Sequence, residues 1–211
     1  MLFYWIFFIV YCLGHLVTCY LEKELPRKIT KIFIVPLLFV GLALTKTFNL
    51  WLYIGLTLGW LGDVLLIFTG KKRYFVIGGA SFLLGHISYV CSSMALLMQK
   101  YDSFSDIPLW AFAILGVVAV VFLVLTITRI RKHVGVFAYL GAFYFYILIT
   151  ALITCILTER YLLSIGFAVF MISDSILSIA RFAHPIKRDH FYIMSTYILA
   201  QTLICLSYIY A

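Results

Sequence analysis

Hydrophobic residues in this chain come in long unbroken runs, with polar residues confined to short breaks between them. Eight runs are present: Leu2 to Tyr20, Ile29 to Thr47, Leu50 to Phe68, Tyr74 to Met98, Pro108 to Thr128, Val134 to Leu157, Tyr161 to Ala180 and Phe191 to Tyr210. A bilayer core is crossed by about 20 mostly apolar residues in a helix. Only helices and closed barrels satisfy their backbone groups in lipid. Barrel strands alternate apolar and polar positions over about ten residues, a pattern these runs lack. Each run therefore predicts one transmembrane helix. The expected fold is an all-α polytopic membrane protein with eight transmembrane helices, forming a single domain over residues 1–211. The connections are short and leave no room for a soluble domain. The first run begins at Leu2 with no basic segment ahead of it and is long enough to cross, so it reads as a retained helix rather than a cleaved signal.

Composition agrees with this picture. The chain is 65% hydrophobic and 11% charged, with a mean hydropathy of +1.11. Soluble domains run at about 45–50% apolar and roughly 25% charged. The net charge of +8 would suggest nucleic acid in a soluble protein. Here the basic residues fall in alternate loops, which points to the bilayer as the partner and excludes nucleic acid. The loop after the first run carries Lys23, Arg27, Lys28 and Lys31; after the third come Lys71, Lys72 and Arg73; after the fifth, Arg129, Arg131 and Lys132; after the seventh, Arg181, Lys187 and Arg188. The other loops hold Lys46, Lys100 and Arg160. Positive loops stay in the cytoplasm, so both termini are expected outside (N-out, C-out). Eight spans is also the count that makes the alternation regular. The five cysteines, Cys12, Cys19, Cys91, Cys155 and Cys205, are scattered without CxxC spacing and read as small buried hydrophobes.

Two runs resemble one another. The third contains WLGDVLLIF and the seventh FMISDSILSI, each with one aspartate ahead of a basic loop and a further helix. Two four-helix halves in parallel orientation (a 4+4 repeat) would account for this, as would chance.

Those two aspartates are the unexpected charges. Glu22, Glu24, Asp102, Asp106, Glu159 and Asp189 lie in loops or at helix ends, whereas Asp63 and Asp174 lie inside spans. A carboxylate at depth costs about 2.5–3.5 kcal/mol even on lenient insertion scales and marks a functional site by default. The plainer reading is a hydrogen-bonding residue that glues helices together. Asp63 precedes Lys71 by eight residues and Asp174 precedes Arg181 by seven, which sets both about 10–12 Å in from the cytoplasmic helix ends. The same count places Tyr139, seven residues after Lys132, and Tyr197, seven after His190, in that layer. His86 and Gln201 fall deeper, and Lys31 stands at the cytoplasmic mouth. Polar groups in lipid turn inward and find partners, so a polar cavity open to the cytoplasmic leaflet is expected. Each residue also has a plainer role: tyrosines form interfacial belts and lysines anchor topology, and Gln201 and His86 satisfy packing. His15 and His184 read as structural. Gly59, Gly62, Gly78, Gly79 and Gly85 suit close helix approach.

The run LGWLGDVLL, Leu58 to Leu66, resembles the signature of the YhhN-like lysoplasmalogenase family. Phe75, Gly78, Phe82, His86 and Tyr89 are similar to that family's F-x-x-G-x-x-x-F-x-x-x-H-x-x-Y pattern. GFAVFMISDSIL, Gly166 to Leu177, resembles its second aspartate block and TYILAQ, Thr196 to Gln201, its last one. Lys31 with Pro36 and Tyr139 match further positions. Ile32, Tyr146 and Ala180 depart from the pattern, where proline, methionine and asparagine are usual.

The resemblance implies an integral hydrolase of a bacterial plasma membrane. It would cleave the vinyl ether bond of a lysophospholipid, a lysoplasmalogen, into a fatty aldehyde and a glycerophospho-head group. Such a bond breaks when its outer alkene carbon is protonated and water captures the resulting oxocarbenium ion. That chemistry needs a carboxylic acid and a carboxylate, for which Asp63 and Asp174 are the candidates. Lys31, His86, Tyr89, Tyr139, Ser173, Tyr197 and Gln201 are the expected binding or orienting residues, with Lys31 meeting the phosphate. No cofactor is expected: a zinc site wants three ligands, only His86, Asp63 and Asp174 would gather, and no HExxH is present. Two other classes fit an intramembrane carboxylate pair, a proton-coupled transporter and a lipid-binding protein. The first lacks Gly-Pro breaks near its aspartates, and the second has no use for them.

Overall fold

The computed structural model describes residues 1–68, 72–130 and 137–210. The anchors Lys71, Arg131 and Lys132 and the expected start of the sixth span at Val134 lie outside the described residues. Among the described residues the chain is helical, with no strand. The helices are α1 (Leu2–Tyr20), α2 (Glu24–Leu44), α3 (Leu50–Ile67), α4 (Lys72–Lys100), α5 (Leu109–Leu125), α6 (Phe137–Leu157), α7 (Tyr161–Phe182) and α8 (Asp189–Ile209). A 3-10 turn at Phe104–Asp106 precedes α5, and a π-turn at Thr126–Ile130 extends it.

Seven of these eight helices are long and apolar enough to cross a membrane. The exception is α2, which has 21 residues but carries Glu24, Arg27, Lys28 and Lys31 in its first turns. It was expected to begin at Ile29 and instead begins at Glu24. Glu24 suits the positive end of the helix dipole, and Pro26 is tolerated in a first turn, where its missing N–H is not needed. The basic cluster therefore rides on the helix rather than in the loop before it.

Pro36, in the interior of α2, removes the N–H that would bond the Ile32 carbonyl. The Trp60 indole N–H of α3 donates to that carbonyl at 2.8 Å. The helix break thus becomes a helix–helix hydrogen bond one residue from Lys31 and three from Asp63. Asn49 caps α3 by accepting from the Leu52 amide at 2.9 Å, which replaces an orphan donor's lost partner. Along α3 and α4 the backbones approach closely. A Cβ added to Gly62 would stand 2.6 Å from the Phe82 ring, and one on Gly55 would stand 2.6 Å from Tyr89. The Ser81 and Ser88 hydroxyls of α4 donate to the Leu58 and Trp51 carbonyls of α3.

Helix pairing recurs after four helices. α1 packs on α2 as α5 does on α6; α2 on α3 as α6 on α7; α3 on α4 as α7 on α8; and α4 meets α6 as α8 meets α2. The turns that enter α3 and α7 both carry a non-glycine residue in the left-handed region, Lys46 at φ 55° and Glu159 at φ 59°. The symmetry is broken at α5, which packs mainly on α6, while α1 closes against α8.

The start of α2, the end of α3, the end of α7 and the start of α8 meet around one basic pocket. The charged helix ends thus gather at one face, as antiparallel neighbours require. On the positive-inside bias this face is expected to be cytoplasmic. Alkaline phosphatase fused to the C-terminus, on the opposite side, is therefore expected to be active, and a fluorescent protein that matures only in the cytoplasm is expected to stay dark. The opposite result would reverse the topology.

Candidate functional site

Both aspartates are buried, Asp63 at 3% and Asp174 at 6% exposure. Each has its own set of partners. On α3, the Asp63 Oδ1 pairs with the Lys31 ammonium of α2 at 2.9 Å. The Tyr197 hydroxyl of α8 interacts with the same carboxylate. Tyr197 in turn accepts from the Gln201 Nε2 at 3.4 Å, and the Gln201 Oε1 accepts from the Tyr89 hydroxyl at 3.0 Å. A polar chain thus runs from Lys31 through Asp63, Tyr197 and Gln201 to Tyr89, crossing α2, α3, α8 and α4. Both ends of the Gln201 amide are engaged, which suits a side chain with no exposure at all.

On α7, the Asp174 Oδ2 accepts from the Tyr144 hydroxyl of α6 at 2.5 Å. The His86 Nε2 of α4 lies 2.9 Å from that hydroxyl and 3.4 Å from the same carboxylate oxygen. The His86 Nδ1 is buried and meets no hydrogen-bond partner among the described residues. This assigns the imidazole proton to Nε2, because a bare acceptor nitrogen is less costly to bury than a bare N–H.

The two clusters adjoin through aromatic rings: His86 and Tyr89 stand 6.2 Å apart, and Phe170 lies against both clusters. The Phe170 ring meets His86 edge-on at 4.6 Å and Tyr197 at 5.5 Å. Phe82 meets Tyr197 at 6.3 Å. Among the described residues no hydrogen bond or ion pair joins Asp63 to Asp174.

Asp174 and Tyr144 line an apolar cavity of about 210 Å3 between α4, α6 and α7, walled by Phe75, Leu83 and Phe145. Gly79 and Gly141 belong to this wall, and a Cβ on either would meet nothing within 4 Å. Their missing side chains are therefore part of the free space. The basic pocket at the helix ends measures about 100 Å3 and is lined by Glu24, Arg27, Lys28, Lys31, Arg181 and His190, among others. Leu66 lines both spaces.

The chain matches the YhhN family over residues 27–208. This protein belongs to that family. No curated protein and no solved structure matches it. The stretch shared with the YhhN family runs from the first turn of α2 to the last turn of α8 and contains every residue of both polar clusters.

Most of the residues singled out in the sequence meet in this YhhN-family site: Lys31, Asp63, Tyr89, Tyr197 and Gln201 in one cluster, His86 and Asp174 in the other. Ser173 is buried beside Asp174 but donates to the Ile193 carbonyl at 3.1 Å, fastening α7 to α8. Tyr139 is 37% exposed, and the α6 hydroxyl that reaches Asp174 is that of Tyr144. Tyr144 lies five residues further along α6. Lys31, expected to meet a phosphate, pairs with Asp63 and also lines the basic pocket. His15, read as structural, lies 2.7 Å from the Thr30 hydroxyl and 3.4 Å from the Cys19 sulfur. Among the described residues no three His, Cys, Asp or Glu side chains gather as metal ligands would.

Proposed function

We propose that this protein hydrolyses the vinyl ether bond of lysoplasmalogens, releasing a fatty aldehyde and a glycerophospho-head group. One observation carries the reading: a buried carboxyl on the wall of an apolar cavity that meets a basic pocket across a single side chain, Leu66. A single-tailed phospholipid has its parts in the same order, chain, reactive bond and phosphate. Membership of the YhhN family supports the same conclusion.

In this mechanism Asp174 enters protonated. The Tyr144 hydroxyl donates to Oδ2, and the proton sits on Oδ1. The outer alkene carbon takes that proton, leaving an oxocarbenium ion and an Asp174 carboxylate that Tyr144 and His86 stabilise through their donors. Asp63, ionised beside Lys31, removes a proton from the water that attacks the cation, giving a hemiacetal. As the hemiacetal collapses, Asp63 returns its proton to the departing ether oxygen and Asp174 takes the hydroxyl proton. Aldehyde and alcohol leave, one water is consumed, and both aspartates regain their starting states.

Purified protein in detergent, given a lysoplasmalogen, is expected to release free fatty aldehyde detectable by mass spectrometry. The release is expected to survive prolonged treatment with a strong chelator. Absence of aldehyde overturns the reading. Loss on chelation with rescue by zinc would move the water to a metal held at His86.

A further inference from the structure

Lys31 is committed to Asp63, so another group must meet an anion at the mouth of the site. The basic pocket supplies it. Of its charged lining, Lys28 pairs with Glu24 at 2.5 Å and Lys31 with Asp63. Arg27 and Arg181 enter no ion pair among the described residues. The Arg27 Nε–H is shut off from solvent with no acceptor among the described residues, which is costly for a charged donor. The two guanidiniums come from different quarters, α2 and α7, and His190 of α8 adds a third nitrogen-bearing wall. Leu66 lines both this pocket and the cavity that holds Asp174.

We infer that Arg27 and Arg181 form a phosphate subsite that holds the headgroup phosphate of a single-chain lipid while the chain lies in the apolar cavity. Guanidinium forks match phosphate oxygens two at a time. A phosphate in the pocket would face two guanidiniums that have no ion-pair partner among the described residues. The inference rests on the proposed lipid substrate for its choice of ligand, but not on any turnover.

The test is therefore a binding measurement with unreactive probes: a long-chain alkyl glycerophosphate, the matching alkylglycerol without phosphate, and inorganic phosphate alone. The wild type is expected to bind the phosphate-bearing lipid at least about tenfold more tightly than the neutral one, since charge-assisted hydrogen bonds are of that size. Arg27→Gln with Arg181→Gln is expected to bring that preference close to one, and the two Arg→Lys changes to keep part of it. Lys23→Gln, which removes a neighbouring charge that does not line the pocket, is expected to keep all of it. Thermal unfolding of each variant in the same detergent checks that it is folded. Equal binding of the two lipids by the wild type overturns the subsite, as does a preference that survives the double Arg→Gln change. Inorganic phosphate bound as tightly as the lipid would make the pocket a site for a free anion and overturn the headgroup assignment. Because neither lipid carries a vinyl ether, these outcomes stand whether or not aldehyde is ever released.

Discussion

Asp63→Asn and Asp174→Asn are each expected to lower aldehyde release by at least about 10²-fold, the lower range of what a general acid or base contributes. Asparagine keeps the size of the side chain and an acceptor oxygen for Tyr144 or Tyr197. It cannot deliver a proton to carbon, and it cannot take one from water. The proton circuit proposed here passes through both carboxyls in one turnover. Removing either stops it, and the double variant is expected to be little worse than either single one, because residues acting as a unit are not additive. Asp102→Asn, on the exposed stretch between α4 and α5, is the control and is expected to match the wild type. An aspartate variant that kept more than about a tenth of wild-type turnover would fall short of an acid–base role. That aspartate would then be a packing residue.

Lys31→Met is expected to be the most destabilising single change at the site. The Asp63 side chain is 4% exposed and that of Lys31 18%. Removing one partner of a buried pair costs about 3–5 kcal/mol, because the other charge stays buried without compensation. The partial exposure of the ammonium puts the expected loss at the low end, about 3 kcal/mol. The distinguishing result is a rescue. Asp63→Asn added to Lys31→Met removes the stranded charge, so the double variant is expected to unfold at a higher temperature than Lys31→Met alone. Asp63→Asn alone is expected to stay near the wild type, since the Lys31 side chain can extend into the basic pocket. A Lys31→Met protein with unchanged thermal unfolding would mean that the pair contributes nothing to the fold.

The helices were legible because lipid imposes a length: an apolar run near 20 residues has no other use. Their ends were less so. α2 starts at Glu24 because a proline and an acid are both acceptable in a first turn, which a hydropathy reading ignores. The site was legible in depth but not in direction. A rise of 1.5 Å per residue put Asp63, Asp174 and Tyr197 in one layer. It says nothing about which helix faces which, so the ring of Phe170 between the clusters and the Lys31–Asp63 pair had no sequence mark. Tyr144 was missed for the same reason: depth along α6 singled out Tyr139, and which α6 hydroxyl faces Asp174 depends on the neighbouring helix. Pro36 was visible as a family match, yet its structural role, freeing the Ile32 carbonyl for Trp60, needed the neighbouring helix.

The order of these partners along the chain bears on how the protein is made. Lys31 has already been synthesised when Asp63 emerges, and His86 and Tyr144 precede Asp174. Tyr197 follows Asp63 by most of the chain, many seconds of synthesis at roughly 5–20 residues per second. During that interval the nascent α3 would enter the bilayer with its carboxylate already matched by the ammonium of α2. In the second half Tyr144 of α6 stands to Asp174 of α7 as Lys31 of α2 does to Asp63 of α3. Each acidic helix is thus delivered to lipid after the helix that makes it tolerable, and the site becomes complete only when α8 closes against α1.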